Sequence, residues 1–391
     1  MSLSRSNIMI MALSTGLIVA NIYYSQPLLV LISQDFGVSE SNAGQVTFLN
    51  QFGYAMGLLF CVPLGDKLER KQQILIMTAL AVVSLFAAAL SGNILILKVV
   101  SFFIGFTSVV PQLILPMAAH LAEPQKRGKV IGTIMSGLLV GILVSRTVSG
   151  IIGAHFGWRA MFWIAGGIST VLLIVMFATF PLSKPRFEGT YGSLMRSLLT
   201  LTKEQPLLRE AAAINACSFA TFGLFWTTVV FLLAAPPFNY GSEVIGLMGL
   251  AAAFGALGAP LIGKIADNKN PRIAIGYGIT FMIAGFVLFW FSRTNVIGII
   301  IGIILLDLGL QGIHVSNQTR IYAILPEARN RMNTVFMTIS FLGTAAGSGI
   351  GLWVWGIAKW GGVCIAALLL AGCAFLIYFL TYKPGNKLAL K

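Results

Sequence analysis

Two polar stretches interrupt long apolar runs: "PLGDKLERK", residues 63–71, and "GKIADNKNPR", residues 263–272. Their aspartates, Asp66 and Asp267, are 201 positions apart, and each is followed within one helical turn or so by an arginine, Arg70 or Arg272. A second pair repeats the pattern. In "EPQKRGK" (123–129) and "EARNRMN" (327–333), Glu123 and Arg127 match Glu327 and Arg331 at an offset of 204. In a third pair, "FGWRAMFW" (156–163) and "AKWGGVCI" (358–365), Trp158 and Trp360 are 202 apart. Three independent matches at nearly one spacing identify an internal duplication. The expected organisation is an N-terminal half, 1–181, a polar linker, 182–207, and a C-terminal half, 208–391.

Composition specifies the solvent. The chain is 57% hydrophobic and 10% charged with a mean hydropathy of +0.88, whereas about a quarter of the residues of a soluble domain are charged. Apolar runs long enough to cross a hydrocarbon core, roughly 20 residues as helix, are expected at 7–33, 43–64, 72–91, 94–118, 129–154, 159–181, 208–235, 243–265, 272–292, 295–322, 331–357 and 360–382. They are too long and too continuously apolar for barrel strands, which alternate in polarity over about 10 residues. The expected fold is therefore all-α and integral to a membrane, with twelve transmembrane helices in two pseudo-symmetric six-helix halves. The first run is too long for the apolar core of a secretion signal, and "NIYYSQPLL" carries no small-residue cleavage pattern. Cys61, Cys217, Cys364 and Cys373 fall within helices or at their ends and read as packing residues.

With the N-terminus inside, the loops holding Arg5, Lys67, Arg70, Lys71, Lys126, Arg127, Lys129, the linker cations, Lys264, Lys269, Arg272, Arg320, Arg329 and Arg331 all face the cytoplasm. Only Arg159, Arg293 and Lys359 face out, so the positive-inside rule places both termini in the cytoplasm. The net charge of +14 is then a matter of topology and of an anionic inner leaflet. The cations are scattered over separate loops, with no aromatic-studded groove or basic helix of the kind that binds nucleic acid. The linker carries "SLMRSLLTL" (193–201), which can form a short amphipathic helix on the inner leaflet.

This combination resembles the major facilitator superfamily over essentially the whole chain. The carriers are the two six-helix halves, the charged loop after the second helix with its weaker copy after the eighth, and the long middle loop. Leu64, Asp66, Arg70 and Lys71 match the loop motif, while Val62 and Glu69 stand where the family has glycines; Gly263, Ala266 and Asp267 match in the second copy. In the fourth helix Ser101 stands where the family often has an arginine before Gly105. In the fifth, "GILVSRTVSG" (141–150) keeps Gly141 and Gly150 but has Ser145 and Arg146 in place of the Gly-Pro of proton antiporters. The resemblance implies alternating access about a site near the bilayer midplane, with Asp66, Arg70, Asp267 and Arg272 as gating charges. It implies no cofactor. The first helix and "DLGLQGIHVSNQTR" (307–320) further resemble efflux-type members near acriflavine and arabinose efflux proteins.

The chemistry concentrates in "ILLDLGLQGIHVSNQT", residues 304–319. Asp307, Gln311, His314 and Gln318 recur at helical spacing and share a face. Of twelve acids, Asp307 alone lies deep in an expected span. An ionised Asp at the membrane centre costs about 2.5–3.5 kcal/mol or more, so it faces a cavity, pairs, or takes a proton. Asp307 is accordingly the expected proton-coupling acid, with His314 as a relay. Arg146, deep in the fifth span, cannot shed its charge and needs Asp307, a substrate anion, or the backbone carbonyls near "SGIIG" as its partner.

Further cavity residues are expected at Asn21, Tyr24, Gln26, Asn50, Tyr54, Asn215, Trp226, Gln311, Asn317 and Gln318. Enzyme readings lack support: His120, His155 and His314 form no H-E-x-x-H, and there is no phosphate-binding G-x-x-x-x-G-K-[ST] loop. No metal site is expected. The expectation is a monomeric, multi-pass carrier of a bacterial inner membrane that exports a small organic solute in exchange for protons. Proton-coupled uptake of an organic anion, anchored by Arg146, is the alternative.

Overall fold

The computed structural model describes residues 4–183, 189–257, 271–325 and 328–381. Among these there is no strand, and nine helical segments are long and apolar enough to cross a membrane. The longest, Arg329–Thr381, is two helices merged across a break at Lys359, and Arg5–Ala20 and Ser242–Gly255 are shorter apolar helices. A span count of twelve is consistent with these elements.

We number the helices α1 (Arg5–Ala20), α2 (Leu29–Phe36), α3 (Glu40–Phe60), α4 (Arg70–Ala89), α5 (Ile94–Thr107), α6 (Val110–Leu121), α7 (Arg127–Phe156), α8 (Trp158–Thr179), α9 (Tyr191–Glu204), α10 (Pro206–Ala234), α11 (Ser242–Leu257), α12 (Pro271–Phe291), α13 (Val296–Tyr322) and α14 (Arg329–Thr381). Two expected spans are broken. The first, 7–33, unwinds over residues 21–25 between α1 and a short 3-10 turn at Gln26–Leu28. The fourth, 94–118, is interrupted at Ser108–Val109 between α5 and α6. Proline accounts for both breaks: Pro27 and Pro111 lack an N–H, and their rings would collide with the carbonyls of Tyr23 and Thr107 in a continuous helix. The linker core does form a helix, α9, whose Leu194, Leu198 and Leu201 are buried at helical spacing.

The chain divides into two compact units, 1–197 with 230–250, and 198–229 with 251–391. In the first unit α1 packs on α7, α3 on α5 and α4 on α8. In a membrane these contacts rest on close van der Waals fit, because lipid tails compete equally for apolar surface. Gly16, Gly137 and Gly141 provide the fit between α1 and α7: a β-carbon added to Gly141 would run into the carbonyl of Gly16, and one on Gly137 into that of Ala12. In the second unit the α10–α14 contact uses the same device, with Gly343 against Ala216 and Gly347 against Ala220. Gly343 follows Gly141 by 202 positions, so the repeat extends from the loops into the helix seams.

The second unit adds an aromatic core. Phe225 stacks on Phe289 at 4.5 Å between centroids, with Phe286 and Trp360 edge-on, and all four are buried. The outward faces are apolar instead: Ile76, Leu80 and Val83 on α4, Val171, Ile174 and Phe177 on α8, and Leu369, Leu376 and Leu380 on α14 are exposed. Such continuous apolar surface is what a lipid environment requires.

Candidate functional site

In the first unit the polar residues gather at the break in the first span. Unwinding frees carbonyls that a continuous helix would occupy, and in an apolar interior each needs a donor. Asn50 supplies one, its Nδ2 donating to the Asn21 carbonyl at 3.2 Å, and Ser149 supplies another, its Oγ donating to the Tyr24 carbonyl at 2.6 Å. Arg146 reaches the same segment. Its Nε donates to Gln26 Oε1 at 2.7 Å, its guanidinium lies 4.6 Å from the centre of the Tyr23 ring, and the residue is 2% exposed.

Gln26 is thus a partner of Arg146 beyond the three weighed from the sequence. Gln26 stands in the 3-10 turn beside Pro27, where the helical spacing of the first span no longer holds. Tyr54 is also buried and shares a hydrogen bond with Gln112. Further along α7, Thr147 Oγ1 donates to the Gly246 carbonyl at 3.1 Å and Ser242 Oγ to the Gly150 carbonyl at 3.0 Å, so the start of α11 is held against α7 within this unit.

In the second unit the polar face of α13 is continuous. Asp307 lies near the middle of its 27 residues and is 6% exposed. Gly255 of α11 lies directly against it: a β-carbon there would stand 2.9 Å from Asp307 Cβ and 2.7 Å from the Ile304 carbonyl oxygen. Two turns on, the half-buried His314 is flanked by the rings of Phe219 and Phe336, each 5.4 Å away, and Asn215 Nδ2 faces its Nδ1 at 3.2 Å. With the amide nitrogen donating, Nδ1 accepts and the ring proton sits on Nε2. The same amide donates to Ser340 Oγ at 2.6 Å. Trp226 is buried against Phe222 and Phe225, and Gln311 is half-buried on the Asp307 face.

The end of α13 carries a different kind of group. Glu210 accepts from Arg320 Nη2 at 2.9 Å and pairs with Arg272 Nη1 at 3.1 Å; the three side chains are 5–12% exposed. Asn317 belongs to this network, its Oδ1 accepting from Arg320 Nη1 at 3.0 Å, and Gln318 Nε2 donates to Asn333 Oδ1 at 3.1 Å. Arg272 Nη2 also donates to the Tyr378 carbonyl and to Thr381 Oγ1. Glu210 is inconspicuous in the sequence because it lies at the start of the expected span 208–235, where an acid can reach the polar edge of the membrane. Its significance comes from two arginines far along the chain.

Of the expected gating residues, Asp66 and Arg70 pair with each other at 3.0 Å, and Arg70 Nε also donates to the Gly65 carbonyl. Glu69, in a position where the family has glycine, caps α4 by accepting from the backbone N–H groups of Lys71 and Gln72, and it also accepts from that of Ser183. Asp267 lies outside the described residues. On the other side of the membrane-spanning segments, Asp35 pairs with Arg159 at 2.5 Å, and this contact holds its carboxyl below the usual carboxylate range. Lys98 donates to Asn42. Among the described residues, no three His, Cys, Asp or Glu side chains gather as metal ligands would.

Similarity to known proteins accords with this architecture. The family model for the Major Facilitator Superfamily matches residues 11–347 and 212–390. The chain is 43% identical over 377 residues to "Uncharacterized transporter YgaY" of Escherichia coli O157:H7, covering 96% of each chain. It is 23% identical over 322 residues to "Probable sugar efflux transporter" of Helicobacter pylori strain P12, covering 81% of this chain and 80% of that one. In fold it is similar to a bacterial homologue of the human lysosomal transporter Spinster, crystallised in an inward-facing, unoccupied conformation, with a TM-score of 0.76 at 15% identity over 96% of this chain and 97% of the other. Relatives and structural neighbours alike are membrane transporters and not enzymes, and this chain belongs to the major facilitator superfamily.

Proposed function

We propose that the protein exports a small organic solute in exchange for protons by alternating access. The observation that carries this reading is Asp307, a carboxyl 6% exposed at the centre of a membrane-spanning helix. A buried carboxyl binds a proton more readily than an exposed one, and a nearby cation reverses the preference. A movement that changes its surroundings therefore loads and releases a proton. His314 continues the polar face as a relay. Asn21, Tyr24, Gln26, Asn50, Tyr54, Asn215, Trp226, Gln311, Asn317 and Gln318 are the proposed solute contacts, and Asp66, Arg70, Asp267 and Arg272 the gating charges. The name of the Helicobacter pylori relative supports export. The proposed setting is a monomer in the bacterial inner membrane with both termini cytoplasmic, its six-helix halves 1–181 and 208–391 joined by 182–207.

Arg146 favours a second reading, proton-coupled uptake of an organic anion. A guanidinium buried on an amide oxygen and a Tyr ring is suited to a carboxylate or phosphate in the cavity. One experiment tests both. Proteoliposomes loaded with a pH-sensitive dye are challenged with a panel of organic cations, anions and sugars, using the wild type, Asp307→Asn and Arg146→Gln. Solute-evoked proton flux that vanishes in Asp307→Asn while solute binding persists supports coupling at Asp307, and the direction of the flux decides between antiport and symport. Anion binding weakened about tenfold or more in Arg146→Gln, as expected for a lost charge-assisted hydrogen bond, favours uptake. Equal proton flux in wild type and Asp307→Asn sinks the proton reading.

A further inference from the structure

The duplication places Asp307 where the first half has Gly105, 202 positions earlier. The partner helices correspond as well. Gly53 of α3 approaches the carbonyl of Phe102 on α5, and Gly255 of α11 approaches that of Ile304 on α13, each 202 positions on. The two crossings differ in what else a side chain would meet. At Gly53 the nearest atoms are all backbone of Phe102, whereas at Gly255 they include Asp307 Cβ at 2.9 Å and the Leu308 nitrogen at 3.1 Å.

From this asymmetry we infer that Gly255 is a positioning residue for the carboxyl of Asp307: the bare backbone of α11 forms the wall that holds the acid in one place. The inference rests on the proposed coupling role of Asp307. A β-carbon at Gly255 has nowhere to go. Its obstacles are a helix carbonyl at 2.7 Å and a β-carbon fixed to the same helix, neither of which is the movable end of a side chain. The helices must separate or Asp307 must turn. Either outcome alters the carboxyl's surroundings, and displacement of a reacting group by about 1 Å can cost a hundredfold in rate.

Close packing alone predicts something different, and α12 supplies the control. A β-carbon at Gly278 would meet the Gly309 carbonyl oxygen at 2.7 Å and Ile313 Cγ1 at 2.7 Å, an equally tight approach to the same helix α13 with no acid at the contact. The test compares wild type, Gly255→Ala, Gly278→Ala and Asp307→Asn in proteoliposomes. Two rates are read with a solute from the panel that the wild type carries: transport driven by an imposed pH gradient, and solute exchange at equal pH, which needs no net proton movement.

The expected result is that Gly255→Ala lowers gradient-driven transport at least about tenfold with exchange retained, following Asp307→Asn, while Gly278→Ala lowers both rates together or neither. Equal behaviour of the two alanine variants overturns the inference even where Asp307→Asn uncouples. A fully coupled Asp307→Asn overturns the coupling reading itself, so the two failures are distinct. Should Gly255→Ala not accumulate as folded protein, Asp307→Glu is the deciding variant, because it leaves the Gly255 seam intact and displaces the carboxyl by one methylene. Gradient-driven transport lowered about tenfold or more with exchange retained supports a carboxyl that must be held in one place, and full coupling in Asp307→Glu overturns it.

Discussion

The crossing of α3 with α5 and that of α11 with α13 are built from corresponding glycines, Gly53 and Gly255, each against the backbone of the facing helix. The first crossing is closed by a second glycine, Gly105, whose added β-carbon would run into the Asn50 carbonyl. The second carries Asp307 at the corresponding place. Close approach is thus common to both halves, and the titratable group is confined to one. The lesson is that duplication supplies a scaffold, and the chemistry enters where the copies diverge. A second divergence agrees with it: position 146 holds an arginine bound to Gln26, whereas 202 positions later Ser348 shares a hydrogen bond with Thr227 at 2.8 Å.

Exchanging the divergent residues gives the largest expected effects. Gly105→Asp places a carboxylate and a β-carbon into the Asn50 backbone and is expected to cost more than about 4 kcal/mol, the range reserved for core overpacking with a buried charge. No folded protein should be recovered on size exclusion. Asp307→Gly, which makes the second crossing resemble the first, should yield folded protein that exchanges solute but accumulates none against a gradient. Folded, stable Gly105→Asp would show that the two crossings are looser than their backbones indicate.

Next in size is the network of Glu210, Arg272 and Arg320 in the second unit. Glu210→Gln removes the carboxylate shared by Arg272 and Arg320, and breaking a buried ion pair by deleting one partner costs about 3–5 kcal/mol. Thermal unfolding followed by thiol-reactive dye should fall well below the wild type, and more steeply than for Asp66→Asn, whose pair with Arg70 is more exposed. Equal losses would remove the distinction between the two charge clusters.

A smaller effect separates the corners before Trp158 and Trp360. Gly157 has φ 79° and Lys359 φ 48°, so both halves turn through the left-handed region at the same repeat position, but one does so with a side chain. Holding a non-glycine residue there costs about 1–3 kcal/mol. Lys359→Gly should therefore raise the melting temperature and Gly157→Lys lower it. A lower melting temperature for Lys359→Gly would mean that the contact of Lys359 with the Trp355 ring, at 5.3 Å, outweighs the backbone strain.

The smallest effect is on pH. Because the Arg159 contact lowers the pKa of Asp35 from 3.8, its contribution to stability is present above that value and is lost as pH falls below it through the folded-state pKa. The pair is partly exposed, so the effect is small. The melting temperature of wild type should exceed that of Asp35→Asn at neutral pH and converge with it in acid, and parallel curves would deny the pair any role.

The duplication, the apolar runs, the placement of cations and the buried Asp307 were all legible in the sequence because each depends on local composition or on fixed spacing. A hydrocarbon core demands about 20 apolar residues per helix whatever the neighbours are, and an acid among them stands out unaided. The breaks at Pro27 and Pro111 were in principle legible too, from the missing N–H, though apolar periodicity ran straight through them. What the sequence could not supply was pairing across distance. That Gln26 meets Arg146, that Asn50 and Ser149 satisfy the carbonyls of an unwound turn, that Glu210 holds Arg272 and Arg320, and that Gly255 faces Asp307 are decided by which helices pack and in what register. Inside a membrane every polar group must find its partner within the protein. The sequence alone determined which groups need partners, and the tertiary structure alone decided which partners they have.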